Sequence, residues 1–342
     1  MVELQKRNIN YNFIFTGQHK DTMEQLSRNF GLKNPDFFMD KSSKDITGVI
    51  QMSVWVIKNL IITLLHKKEI FQGQKGIVMV HGDTFSTLLG ALMGKLAGLK
   101  VAHVESGLRS FDFANPFPEE ITRVIVFKFT DYYFCSGTWE INNLKKESGI
   151  KVNTYVNTLY DSLQLAIKPA KNIHVHLPDE KYAVVTIHRF ENIFRQERLK
   201  EIIEILEKVA RKIRLLFIMH KPTEQNLHKF DYYKILEKNK NIELRPRYDY
   251  FEFVKLMNNS EFLISDGGSN QEESSYLGKP CLLLRKATER LEGLNKNVVL
   301  SNYDMNTIID FVENYRNFMY EPLIFENSPS KTIVDVIVRD NR

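Results

Sequence analysis

Three acids in the first half of the chain have the setting for proton chemistry: Asp83 in HGDT (81–84), Glu105 in HVESG (103–107) and Glu119 in PEE (118–120). Asp83 and Glu105 end neighbouring apolar runs and can converge on one crevice, while Glu119 begins a helix after the loop 110–118. Carboxylates gathered in a crevice acquire raised pKa values and serve as general acid and base. Plainer readings stay open beside this one: an N-cap for Asp83 and Glu119, and a salt bridge to Arg109 or Arg123 for Glu105. The segment DGGSNQEE (266–273) follows an apolar run and opens a helical pattern. Its glycines and serine make a tight turn with backbone N–H groups at the positive end of a helix, which suits a phosphate, or else a turn capped by Asp266 or Ser269. Glu272 and Glu273, just inside that helix, favour its dipole, or one of them accepts hydrogen bonds from a ribose. His188 and Arg189 together suit a diphosphate, whereas His81, His103 and His220 read equally well as structural strand-end residues. His174 and His176 form HxH without a third ligand in reach, so no metal site is expected.

These residues need elements that deliver them to one place. Short apolar runs alternate with helical patterns: 12–16, 76–81, 100–105, 182–188, 215–220, 241–246, 261–266 and 280–285 read as strands, and segments such as 84–98 and 195–212 as helices. That order predicts an α/β protein with parallel, doubly wound sheets, whose ligand crevice lies at the carboxyl ends of the strands. A break in composition at 167–180, with two prolines and mixed charge, predicts a linker. It separates an N-terminal Rossmann-like domain (1–166) from a C-terminal one (181–303). Helical stretches within 304–342 close the chain and can pack across both halves.

The length of 342 residues agrees, because one hydrophobic core stops growing at roughly 250–300 residues. A net charge of +5, from 47 basic and 42 acidic residues mixed together, argues against nucleic acid as a partner. Cys135 and Cys281 lie in apolar runs outside any CxxC pair, as buried thiols of a reducing compartment do. The first dozen residues are polar, unlike a signal peptide. The most apolar helical stretch, 54–65, falls well short of the ~20 residues that span a bilayer. A cytoplasmic protein without a membrane partner is expected. Neither GxGxxG nor a Walker loop is present, which disfavours dehydrogenases and NTPases.

With these segments in place the chain resembles the UDP-N-acetylglucosamine 2-epimerase family over nearly its whole length. The resemblance rests on TGQH (16–19), HGDT (81–84), HVESGLRS (103–110), PEEITR (118–123), NTLYD (157–161), HRFEN (188–192), DGGSNQEE (266–273), GKPCLLLR (278–285) and TER (288–290). It implies the glycosyltransferase-B-type fold, two Rossmann-like domains facing a cleft, commonly as a homodimer. It implies inversion at C2 of UDP-N-acetylglucosamine to UDP-N-acetylmannosamine without a cofactor, supplying cell-surface polysaccharide precursors. By the same resemblance Asp83, Glu105 and Glu119 are acid/base groups and His188 stabilises the departing diphosphate. The turn Gly267-Gly268-Ser269 supplies N–H donors, Glu273 holds the ribose, and Arg109, Arg189 and Arg290 complete the substrate contacts. Gln18, His19 and His220, with Arg189, resemble the positions where bacterial members bind a second, activating UDP-N-acetylglucosamine.

The sequence departs from the family pattern in several places. A first strand and a GTRPE-like loop, about twenty residues, are expected before Met1. DGGS stands for DSGG, Ser106 for an alanine, Val156 for a glycine and Phe190 for a small or basic residue. These departures keep three alternatives open: a hydrolysing epimerase that releases UDP and N-acetylmannosamine, a glycosyltransferase, and a UDP-sugar-binding remnant without catalysis.

Overall fold

The alternation of apolar runs and helical patterns becomes two α/β units, Met1–Asp161 with Glu326–Arg342, and Ser162–Phe325. The structure, a computed structural model, describes residues 1–17, 20–39, 49–73, 75–113 and 116–340. In chain order the first unit holds α1 (Val2–Lys6), β1 (Ile14–Phe15), α2 (Lys20–Asn29), β2 (Phe37–Phe38), α3 (Val49–Ile70), β3 (Ile77–His81) and α4 (Phe85–Leu96). There follow β4 (Lys100–Val104), α5 (Glu119–Phe127), β5 (Tyr132–Cys135), α6 (Thr138–Asn143) and β6 (Ile150–Asn153), and α7 (Leu159–Ala170) carries the chain from the first unit into the second. Among the described residues these strands form a parallel four-stranded sheet, β3-β4-β5-β6, and a separate parallel pair, β1-β2.

The second unit continues with β7 (Tyr182–Thr186), α8 (Phe190–Ile193), α9 (Gln196–Ala210), β8 (Arg214–Met219), α10 (Lys221–Lys229), α11 (Tyr233–Lys238), β9 (Ile242–Pro246) and α12 (Tyr250–Asn259). It ends with β10 (Leu263–Ser265), α13 (Gly268–Leu277), β11 (Cys281–Leu283), β12 (Val298–Leu300) and α14 (Met305–Asn314). Its six strands are all parallel, in the order β9-β8-β7-β10-β11-β12. This is the Rossmann order 3-2-1-4-5-6, and its switch point falls between β7 and β10. Every residue of β7 is buried, as expected where helices cover both faces of a parallel sheet. On α9, Leu199, Ile202, Ile203, Leu206 and Val209 recur at helical spacing and seal one of those faces.

One boundary differs from the sequence reading. Residues 167–170, expected in the linker, belong to α7. Tyr160, Leu163, Ala166 and Ala170 recur on one buried face and carry the helix past Pro169 in its last turn. The last helix, α15 (Pro329–Asp340), belongs to the first unit, where Ile333 and Ile337 pack on Ala102, Val104, Tyr132 and Phe134 of its sheet.

Candidate active site

In the first unit the register of β3 on β4 pairs His81 with Val104, so Asp83 and Glu105 leave the carboxyl ends of adjacent strands. Gly82 makes the turn between them at φ +70°, and a Cβ there would lie 3.5 Å from Glu105 Oε2. Glu105 itself sits at φ +62°, a conformation that costs a non-glycine residue about 1–3 kcal/mol and clusters at functional sites. His81 Nδ1 lies 3.7 Å from its carboxylate.

The surrounding charges are ordered by buried arginine. Arg123 donates from Nε (2.9 Å) and Nη2 (2.6 Å) to Asp83 Oδ2, and from Nη1 to Glu120 (3.3 Å). Glu120, fully buried, also accepts from Arg109 Nε (2.5 Å) and from the N–H groups of Ser110 and Phe111. Burial pushes the Glu120 carboxyl up, but the bond from Arg109, the backbone donors and the arginine charges outweigh it, and the result lies below the usual range.

Of the plain readings for this region, the N-cap of α4 is Thr84, whose side chain accepts from Thr87 N, and not Asp83. Glu119 is the first residue of α5, whose cap position is Pro118. Arg109 is committed to Glu120. The sequence reading passed over Glu120 as a site residue, although its i,i+3 spacing to Arg123 is a helical ion-pair signature.

In the second unit the switch point brings the turn after β7 against the turn after β10. Asp266, fully buried, does not cap α13, whose cap position is Gly267. Its carboxylate accepts instead from the N–H groups of His188 (3.1 Å) and Arg189 (2.9 Å) and from Asn192 Nδ2 (2.9 Å), with His188 Nδ1 at 3.4 Å. This one acid locks the His188-Arg189 turn onto the glycine turn. Arg189 closes the joint by donating from Nε to the Asp266 carbonyl (2.9 Å) and from Nη2 to Glu289 (3.2 Å).

A side chain at 267 or 268 would force its neighbours to shift. A Cβ on Gly267 would lie 2.9 Å from His188 Cε1, and one on Gly268 2.6 Å from Arg290 Nε. The Gly267 N–H is taken by Ser265 Oγ (3.0 Å), which also donates to Asn270 Oδ1 (3.1 Å). The donors without a partner inside the helix are those of the first turn, Gly268 to Asn270. Ser269 is exposed there.

The two glutamates of QEE separate in role. Glu272 is ion-paired to Arg290 and accepts from Tyr276 Oη (3.1 Å). Glu273 is buried among neutral donors, Tyr250 and Asn270 Nδ2 (3.1 Å), and burial raises its carboxyl to about 7 against their pull. Tyr250 and Asn270 carried no sequence signal of this role. The His220 ring stacks on His188 with centroids 4.7 Å apart. Burial, with His188 and Arg247 adding repulsion, lowers His220 to about 4, so it is neutral near pH 7. Gln18 and His19 lie outside the described residues. Among the described residues no group of three His, Cys, Asp or Glu is placed to hold a metal, and none of their helices is long and apolar enough to cross a membrane.

Fold and sites together define a two-unit Rossmann-like α/β protein, with a helix N-terminus at the switch point of one unit and paired strand-end acids in the other. The sequence profile of the UDP-N-acetylglucosamine 2-epimerase family matches residues 2–329, and the chain belongs to that family of isomerases. The UDP-N-acetylglucosamine 2-epimerase of Methanocaldococcus jannaschii is 34% identical over 311 residues, 84% of this chain and 80% of that one. The enzyme of that name from Methanococcus maripaludis is 30% identical over 348 residues, covering 96% and 91%. The crystal structure of the M. jannaschii enzyme in complex with UDP-GlcNAc and UDP superposes with a TM-score of 0.83 at 29% identity, over 98% of this chain and 94% of that one. The Neisseria meningitidis enzyme bound to UDP-GlcNAc gives 0.84 at 27%, over 99% and 94%.

Proposed function

We propose that the chain inverts C2 of UDP-N-acetylglucosamine, giving UDP-N-acetylmannosamine for cell-surface polysaccharide precursors. The hydrogen on C2 is not acidic, so the C1–O bond to UDP must loosen as a base removes it. The C–H pair becomes the C1=C2 bond of 2-acetamidoglucal and the C1–O pair departs with UDP. Return of a proton to the opposite face of C2, and of UDP to C1, completes the inversion.

The observation that carries the reading is the placement of Asp83 and Glu105 at adjacent strand ends, in a protein whose other unit joins His188 and Arg189 to a helix N-terminus through Asp266. Asp83, oriented by two donors of Arg123, and Glu105, beside His81, are the acid/base pair, and Glu119 completes the set. His188 and the first-turn N–H groups of α13 take the departing diphosphate, where preorganised donors act most strongly. Glu273 takes the ribose, and Arg189 and Arg290 order the turn around it. The test is turnover of UDP-N-acetylglucosamine in D2O followed by NMR. Deuterium at C2 without accumulating UDP is the expected result; UDP and free N-acetylmannosamine would overturn it in favour of hydrolysis.

Two further parts of the proposal concern assembly and regulation. An exposed apolar stripe on α3, of Val54, Ile57, Ile61, Leu64 and Leu65, supports a homodimer. Light scattering would show a dimer, and Ile61→Asp a monomer. A second UDP-sugar site using Gln18, His19 and His220 is supported by the contact of His220 with His188, and predicts sigmoidal dependence of rate on substrate.

A further inference from the structure

The two acid-bearing turns of the first unit are joined by a side chain that the proposed reaction does not use. His103, next to last in β4, is fully buried, and so is Ser106. His103 Nε2 lies 2.7 Å from the Gly82 carbonyl oxygen, and His103 Nδ1 lies 3.1 Å from Ser106 Oγ. A carbonyl only accepts, so Nε2 carries the proton, Nδ1 accepts, and the serine hydroxyl donates to it. Both ends of this relay are anchored. The Gly82 N–H donates to the Val104 carbonyl (3.0 Å) and the Ser106 N–H to the Phe134 carbonyl (2.9 Å). The Gly82 peptide, which sets where Asp83 leaves β3, is therefore tied twice to the strand that delivers Glu105.

We propose that His103 is a positioning residue that fixes the separation of Asp83 and Glu105, with the Gly82 carbonyl requiring the Nε2–H tautomer that makes the tie and the Ser106 hydroxyl holding the other ring nitrogen. The proposal rests on the reading of those two acids as the proton-handling groups. A misplacement of about 1 Å costs on the order of 100-fold in rate, which is the scale at which the relay acts.

The experiment compares His103→Phe, which fills the space without a donor, with His103→Gln, which keeps one. His103→Phe is expected to lose kcat by about 100-fold while KM and the Kd for UDP stay within about threefold, with His103→Gln recovering at least a tenth of wild-type kcat. Near-normal kcat in His103→Phe overturns the proposal. So does equal damage to kcat and UDP binding with no rescue by glutamine, the mark of general destabilisation. Nitrogen NMR of the wild-type chain supplies a readout independent of activity: His103 must show a protonated Nε2 and an unprotonated Nδ1, and Ser106→Ala must shift the Nδ1 signal toward that of an acceptor without a donor while Nε2 stays protonated. If the wild-type chain fails to epimerise, the functional reading falls alone, and the tautomer measurement still decides whether the relay exists.

Discussion

At the scale of single residues, Asp83 and Glu105 leave adjacent strand ends, the first held by Arg123 and the second at φ +62° beside His81. Asp83 and Glu105 are legible because an acid that ends an apolar run must emerge at the carboxyl edge of a sheet. What is not legible is the pairing, since Arg123 reaches Asp83 across 40 residues and His103 reaches the Gly82 carbonyl across 21, both fixed only by the fold. The same limit applies to Asp266, which reads as a helix cap and instead holds the His188-Arg189 turn. The acid/base assignment of these two leads to a test. Glu105→Gln keeps shape and removes the proton acceptor, so kcat should fall by about 10²–10⁴, the usual worth of a general base. Asp83→Asn should fall at least as far, because it also leaves the buried Arg123 facing a neutral amide. UDP binding, assigned to the other unit, should change little in both, as measured by calorimetry. Near-normal turnover in both variants would remove the acid/base assignment.

At the scale of elements, strands set in longer apolar runs are readable even where few residues pair, as in β1, β10 and β11, whereas β2, β6 and β12 are not. β2 has two residues, β12 has three, and β6 reads IKVN, too short or too polar to stand out. Nor does the sequence contain the strand order, because pairing β7 with β10 rather than with its successor alone is a long-range choice. That choice creates the switch point, and the glycine turn of α13 shows its consequence in close packing. Gly268 faces the Arg290 side chain, which is itself held by Glu272. Gly268→Ala should therefore push Arg290 away and shift the first-turn donors, weakening UDP binding by about tenfold, comparable to the 1.4 kcal/mol of one net hydrogen bond. Titration calorimetry with UDP measures this, and an unchanged affinity would show that the turn does not touch the nucleotide.

At the scale of the whole molecule, length and composition already implied two units, but not their unequal response to acid. His103, in the first unit, is lowered to about 4 by burial, the Gly82 carbonyl pulling the other way. An unfolded histidine titrates near 6.5, so between pH 6.5 and 4 the unfolded state binds the extra proton and stability falls on acidification. The full shift corresponds to at most about 3 kcal/mol. In the second unit His220 has the same sign, but Glu273, raised to about 7 by burial, has the opposite one. Its folded state holds the proton more tightly than an unfolded glutamate near 4.3, so acidification through this window stabilises that unit and offsets His220. The first unit should be the acid-labile one. Both tryptophans, Trp55 and Trp139, lie in it, so fluorescence follows the first unit while far-ultraviolet circular dichroism follows both. On thermal unfolding at pH 5 the fluorescence transition should precede the completion of the dichroism change, with the two closer together at pH 7. His103→Gln should bring them together at pH 5, and Glu273→Gln, a neutral stand-in for the protonated acid, should raise only the later phase, more at pH 7 than at pH 5, because it removes the cost of burying a carboxylate. Coincident transitions at both pH values would show that the units unfold as one and that the buried charges do not distinguish them.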